Sequence, residues 1–152
     1  MARLRHFAVC VKDLDKAATF YETVFELKRA GREDLEIGSA IYLTDGVINL
    51  ALLNFSAGPG AKAADTADPR GLVGAHHFGF QVDDLDATTE RLASVNAPRR
   101  DDINEALGVG GHAYAGGAKR YGNVEVKYTG PDGVTVDVSE TGWVGTQTFR
   151  PE

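Results

Sequence analysis

The chain has 152 residues, 43% hydrophobic and 25% charged, the makeup of one globular domain with a buried core, which argues against disorder. A formal net charge of −6 argues against nucleic acid or an anionic membrane as partner, and no apolar run is long enough to span a bilayer. Cys10 is the single cysteine, so no internal disulfide is expected; with an N-terminus lacking an apolar signal segment, this fits a cytoplasmic protein.

From Arg5 to Val11 the residues alternate, with Phe7, Val9 and Val11 on one face and His6, Ala8 and Cys10 on the other, which predicts a strand. A helix follows from Asp13 to about Leu27, capped by Asp13 or Asp15 and carrying Leu14, Ala17, Ala18, Tyr21, Val24 and Phe25 at helical spacing. Three strands complete this unit: 27–32, 38–44 and 47–53, the last two joined by a tight turn at Asp45-Gly46. Residues 56–71 contain Gly-Pro-Gly and several alanines without periodicity and read as a linker.

The next strand, His77 to Val82, opens a second copy of the first text. His6-Phe7-Ala8-Val9-Cys10-Val11-Lys12-Asp13-Leu14-Asp15 is answered by His77-Phe78-Gly79-Phe80-Gln81-Val82-Asp83-Asp84-Leu85-Asp86, at a constant offset (77 − 6 = 71). Such a repeat predicts two like modules in one fold. Asp84 opens a helix to about Val95, with Leu85 and Leu92 matching Leu14 and Tyr21. Beyond Pro98 the copies diverge. Leu107 to Asn123 is glycine-rich, carries His112, Tyr114 and Tyr121, and reads as a long loop over a pocket. Strands at 124–128 and 134–139 flank the turn Pro131-Asp132-Gly133, and the tail around Trp143 is expected to cap a sheet edge.

The paired His-Phe-x-x-x-Val-x-Asp-Leu-Asp segments, Phe20-Tyr21 in the first helix and Pro131-Asp132-Gly133 before the last strand resemble the vicinal oxygen chelate superfamily. That superfamily includes glyoxalase I, extradiol ring-cleaving dioxygenases, methylmalonyl-CoA epimerase and bleomycin- and fosfomycin-resistance proteins. The resemblance implies an α+β fold: two tandem βαβββ modules forming a cup-shaped mixed sheet with helices on its convex side. The modules would be residues 3–55 and 74–142, joined by a linker at 56–73 within one domain (1–145), with a C-terminal tail at 143–152. It also implies a small-molecule substrate and a homodimer.

Metal-binding members take ligands from the first and last strands of each module. Carried onto this chain, those places hold His6, Asn49, His77 and Asp137, a set for a divalent ion such as Fe, Mn, Ni, Co or Zn. Strand parity agrees, since each of the four lies opposite the aliphatic and aromatic face of its strand. Glu140 has the parity of Val136 and Val138 and ranks behind Asp137, and His76 should face away from His77. Two imidazoles and a carboxylate leave coordination positions open for a substrate with adjacent oxygens. Asn49 cannot act as a base, so Glu125 is the candidate base; Lys127 stands where extradiol enzymes place a tyrosine. Cys10, Gln81, His112 and Tyr121 are the candidate substrate contacts. The reading is a metal-dependent enzyme with lyase or isomerase chemistry. The alternatives are an extradiol-type dioxygenase and a metal-free protein that sequesters a drug or metabolite.

Overall fold

A computed structural model describes residues 1–107 and 125–146. The first module runs β1 (Arg3–Cys10), α1 (Leu14–Phe25), β2 (Lys28–Leu35), β3 (Gly38–Thr44) and β4 (Asn49–Phe55). A short helix, α2 (Pro59–Ala63), follows. The second module contains β5 (Gly74–Gln81), α3 (Leu85–Ser94), α4 (Asp101–Ala106), β6 (Val126–Thr129) and β7 (Thr135–Ser139). The seven strands of the described residues form one mixed sheet in the order β2-β3-β4-β1-β5-β7-β6. The expected α+β class and open mixed sheet are therefore present.

The pseudo-twofold lies between β1 and β5. These strands pair antiparallel, and each runs parallel to the last strand of its own module, β4 or β7. Beyond β6, module two replaces a counterpart of β2 with a single bridge: Arg99 pairs with Tyr128, and Thr129 N–H and Arg100 N–H join Pro98 O and Lys127 O across it.

The repeated aspartates act alike. Asp13 Oδ1 accepts from Lys16 N–H at 2.9 Å and Asp84 Oδ1 from Ala87 N–H at 2.8 Å, so each caps the helix after its module's first strand. Leu14 and Ala18 of α1 pack with Ile41, Leu43 and Leu52. In module two, Leu85 and Leu92 of α3 pack against Val82, Val126, Tyr128 and Val138. These are two separate apolar clusters on the convex side.

Several expectations are corrected. The stretch expected to be a bare linker contains α2, and a second unforeseen helix, α4, packs against it. Arg100, just before α4, pairs with Asp65, just after α2, at 2.8 Å. Strand β4 starts at Asn49 rather than residue 47, because Asp45 Oδ1 accepts from Val47 and Ile48 N–H at 2.8 and 2.7 Å and withholds them from the ladder. On the central strands the concave face is the more buried one: His6, Ala8 and Cys10 are buried, whereas Phe7 is 37% exposed because the convex clusters lie to either side.

Candidate metal centre

β1 and β5 bring the two repeated histidines together. His6 lies opposite Gly79 and His77 opposite Ala8, so the imidazoles meet diagonally across the pair with Nε2 atoms 3.1 Å apart. Asp137, opposite Gly79 on the other side, places Oδ2 at 3.2 Å from His77 Nε2 and 4.0 Å from His6 Nε2. All three side chains are buried. Each offers a donor atom within 4.8 Å of the other two. Ligands about 2.1 Å from an ion and at right to tetrahedral angles stand ~3.0–3.4 Å apart, which two of these three edges match.

The hydrogen bonds decide which atoms carry protons. Asn49 Nδ2 donates to Val144 O at 2.9 Å, which turns Oδ1 toward His6 Nδ1 at 2.8 Å. His6 therefore donates from Nδ1, and in its neutral form Nε2 is bare. His76 Nε2 lies 3.1 Å from Ala64 O, a group that only accepts, so His76 carries its proton there. Its bare Nδ1 then accepts from His77 Nδ1 at 2.7 Å, which leaves His77 Nε2 bare as well. Burial lowers all three imidazole pKa values, that of His77 to about 3, so the neutral forms prevail near neutrality. This assignment turns two nitrogen lone pairs and a carboxylate toward one point, acceptors 3.1 and 3.2 Å apart that a cation between them would bridge. Asp137 Oδ1 is also buried without a hydrogen-bond partner. Such a set of acceptors fits a divalent cation.

Among the described residues, the cation beside this set is Lys127. Its Nζ donates to Asp137 Oδ2 at 2.6 Å and to Glu125 Oε1 at 3.3 Å. Burial works to lower the pKa of this ammonium, and the two carboxylates overcome it. Burial likewise works to raise the Asp137 carboxyl, but the charge of His77 wherever that ring is protonated, and the Lys127 ammonium at 2.6 Å, outweigh it and hold the group below its usual range. Asn104 of α4 fixes the Lys127 backbone from both sides, accepting from its N–H at 2.9 Å and donating to its carbonyl at 3.2 Å.

The register reassigns Asn49. In module two the carboxylate lies opposite Gly79; the matching position beside Ala8 in module one is Ala51, not Asn49. Asn49 lies beside His6 and orients it. Ala51 offers no donor and lines a cavity of about 350 Å3, together with His6, His77, Tyr42, Glu125 and Lys127. Ala63 at the end of α2, Ala106 at the end of α4 and Leu107 just after it also line it, so the two unforeseen helices contribute to its wall.

Of the other sequence candidates, Cys10 and Gln81 do not line this cavity. Burial pushes the Cys10 thiol up to about 11, and Gln81 Nε2 donates to Glu140 O at 3.1 Å. His112 and Tyr121 lie outside the described residues. Glu140 Oε1 accepts from Leu85 N–H at 2.6 Å, at the start of α3 and away from the metal set. His76 does not face away from His77 as parity alone predicts, because the β1–β5 register skips it and rotates its side chain.

Several residues of the site escaped the sequence reading, among them the cavity wall of Leu35, Ile37, Leu53 and Phe55 and, beside the histidines, a tryptophan. Trp143, expected to cap an edge, is buried and stacks on His6 with ring centroids 5.0 Å apart and planes 5° from parallel. Its Nε1–H donates to Glu125 Oε2. A Cβ on Gly79 would stand 2.5 Å from Trp143 Cζ2. The glycine that replaces Ala8 in the repeat was the available signal, since glycine inside a strand marks a close approach.

Comparison with known proteins agrees with this architecture. The profile of the Glyoxalase/Bleomycin resistance protein/Dioxygenase superfamily matches residues 3–138. YwbC of Bacillus subtilis (strain 168) is 30% identical over 106 residues, 66% of this chain and 76% of that protein. The hypothetical protein BH1468 from Bacillus halodurans C-125 has a similar structure, with a TM-score of 0.64 at 17% identity, covering 99% of this chain and 98% of that one. A Streptomyces coelicolor methylmalonyl-CoA epimerase variant, in complex with 2-nitronate-propionyl-CoA, gives 0.62 at 16% identity over 90% of this chain and 94% of its own. The halotolerant catechol dioxygenase BphC gives 0.55 at 16% identity over 89% of this chain and 39% of its own.

Proposed function

The chain belongs to the Glyoxalase/Bleomycin resistance protein/Dioxygenase superfamily, and from that premise we propose that it is a metal-dependent enzyme acting on a small substrate with two adjacent oxygens. The observation that carries the reading is the meeting of His6 Nε2, His77 Nε2 and Asp137 Oδ2, all buried, beside a cavity. A divalent ion held there (Fe, Mn, Ni, Co or Zn) would polarise the substrate oxygens.

The remaining chemistry belongs to the chain. Glu125 lines the cavity with its carboxylate between Trp143 Nε1–H and Lys127 Nζ, and takes a proton from carbon beside the substrate carbonyl and returns it. Lys127 keeps Asp137 ionised and hydrogen-bonds Glu125 Oε1 at 3.3 Å. Leu35, Ile37, Ala51, Leu53 and Phe55 form an apolar wall for the body of the substrate.

Isomerase or lyase chemistry is favoured over ring cleavage because a second carboxylate stands at the cavity, while the Tyr128 hydroxyl is engaged by Thr89 Oγ1 at 2.7 Å on the convex side. The likeness to a methylmalonyl-CoA epimerase, an enzyme name that implies proton transfer at carbon, agrees with this. One observation favours the rival, metal-free binding protein: Lys127 Nζ, 2.6 Å from Asp137 Oδ2, already neutralises the carboxylate. Metal analysis of protein purified without chelators separates the two. The enzyme reading expects one divalent ion per chain, lost from the His6→Ala/His77→Ala double variant. No ion in the wild type, even after incubation with Fe, Mn, Co, Ni and Zn, supports the rival.

A further inference from the structure

His76 stands at a privileged place in the repeat. The β1–β5 ladder passes from Leu4↔Phe80 to His6↔Gly79, skipping Arg5, and from Ala8↔His77 to Val9↔Ala75, skipping His76. The skipped residues are repeat partners (5 + 71 = 76). A bulge of this kind re-aims the side chain it leaves unpaired. In module two it turns His76 so that its ring meets the ring of His77 at 5.0 Å, nearly edge to face at 75°.

The far side of the His76 ring is anchored outside the sheet. Ala64, whose carbonyl lies 3.1 Å from His76 Nε2, is buried and closes the C-terminal end of α2. Phe55 at the end of β4 packs on the His76 ring at 5.3 Å. The contacts run in one line from Ala64 O through His76 to His77 Nδ1, with His77 Nε2 at the other end of its ring facing His6 and Asp137.

We propose that His76 is a positioning residue for the metal centre: by accepting the Nδ1 proton of His77 it fixes both the tautomer and the ring orientation that present His77 Nε2 as a ligand, with Ala64 O setting the direction of the chain. The direction follows from donor and acceptor chemistry. A proton on His76 Nδ1 in a neutral ring would set a bare Nε2 against the Ala64 carbonyl, two acceptors at 3.1 Å with no room in the set for an ion to join them, whereas the acceptors that face His77 Nε2 are the ones a metal ion would bridge. The proposal rests on the reading of His77 as a ligand. Partners of this kind typically contribute 10- to 100-fold to metal affinity. The seat of α2, which also lines the cavity, is thereby tied to the metal centre.

Two measurements test it. In metal-free wild-type protein, long-range proton–nitrogen NMR should find the His77 proton on Nδ1 and none on Nε2; a proton on Nε2 overturns the proposal. In chelator competition with zinc, His76→Phe should bind about 10- to 100-fold more weakly than wild type. His76→Asn, whose Oδ1 takes the place of Nδ1 as acceptor, should recover most of that loss. Unchanged affinity in His76→Phe, or an equal loss in both variants, overturns it. Wild-type protein that holds no zinc would instead refute the metal reading of the site, whichever nitrogen carries the proton.

Discussion

His6 and His77 occupy the same position of the two modules, yet they are steadied in different ways. His6 is oriented by Asn49 from a neighbouring strand and covered by Trp143 from the tail. His77 is oriented by its own sequence neighbour, His76, rotated onto it by a bulge and anchored on α2. The last strands differ too: module two supplies Asp137 where module one has Ala51. Duplication thus provides the frame and the pair of imidazoles. The departures from symmetry provide the carboxylate, an open side toward the cavity, and a separate orienting partner for each ring.

The carboxylate position gives the sharpest contrast between modules. Asp137→Ala removes the carboxylate of the proposed metal set and leaves the buried Lys127 ammonium with Glu125, 3.3 Å away. It should abolish metal retention and lower stability by about 3–5 kcal/mol in urea unfolding. The module-one counterpart, Ala51→Gly, should retain metal and cost about 1 kcal/mol. Equal losses at both positions would break the comparison.

The Ala8/Gly79 pair comes next. Gly79→Ala drives a methyl into Trp143 and should cost about 1–3 kcal/mol, with a tryptophan fluorescence shift as the indole leaves His6. The reverse change in module one, Ala8→Gly, should cost about 0.5–1 kcal/mol and leave the fluorescence unchanged.

Acid should loosen metal-free protein through the same histidines. The pKa of His77 is lowered from 6.5 to about 3 by burial, so below pH 6.5 the unfolded chain takes up a proton that the folded chain refuses. Stability is then full above pH 6.5 and falls as pH drops toward about 3, by up to about 1.4 kcal/mol per pH unit from this group. His6 and His76, also lowered by burial, act in the same direction. Thermal melts at pH 7 and pH 5 check this; equal melting temperatures would contradict it. Where the modules agree the metal set is untouched: Asp13→Ala and Asp84→Ala each remove one N-cap and should each cost about 1 kcal/mol, with metal affinity intact.

Most of the frame was legible because it rests on local periodicity. The alternation around His6 and His77, the helical stripe from Leu14 to Tyr21 and the repeated aspartate caps are all carried by residues near one another in sequence. What was missed depends on register and long-range contact. Parity says which face Asn49 occupies, but only the pairing of β1 with β4 says that it stands beside His6 rather than at the carboxylate position. The bulge at His76 is invisible to a two-residue period that assumes an unbroken ladder. Trp143 reaches His6 across most of the chain, with Gly79 as its single local trace. The short helices α2 and α4 carry too few apolar positions to reveal a period.

The central claim is that His6, His77 and Asp137 hold one divalent ion. The most direct measurement is a crystal structure of metal-loaded protein with anomalous scattering collected at the metal edge. The account predicts one strong peak bonded to His6 Nε2, His77 Nε2 and an Asp137 oxygen, with no bond to Asn49 or Cys10. Density free of metal at saturating concentration, with Lys127 the only cation at Asp137, would contradict it.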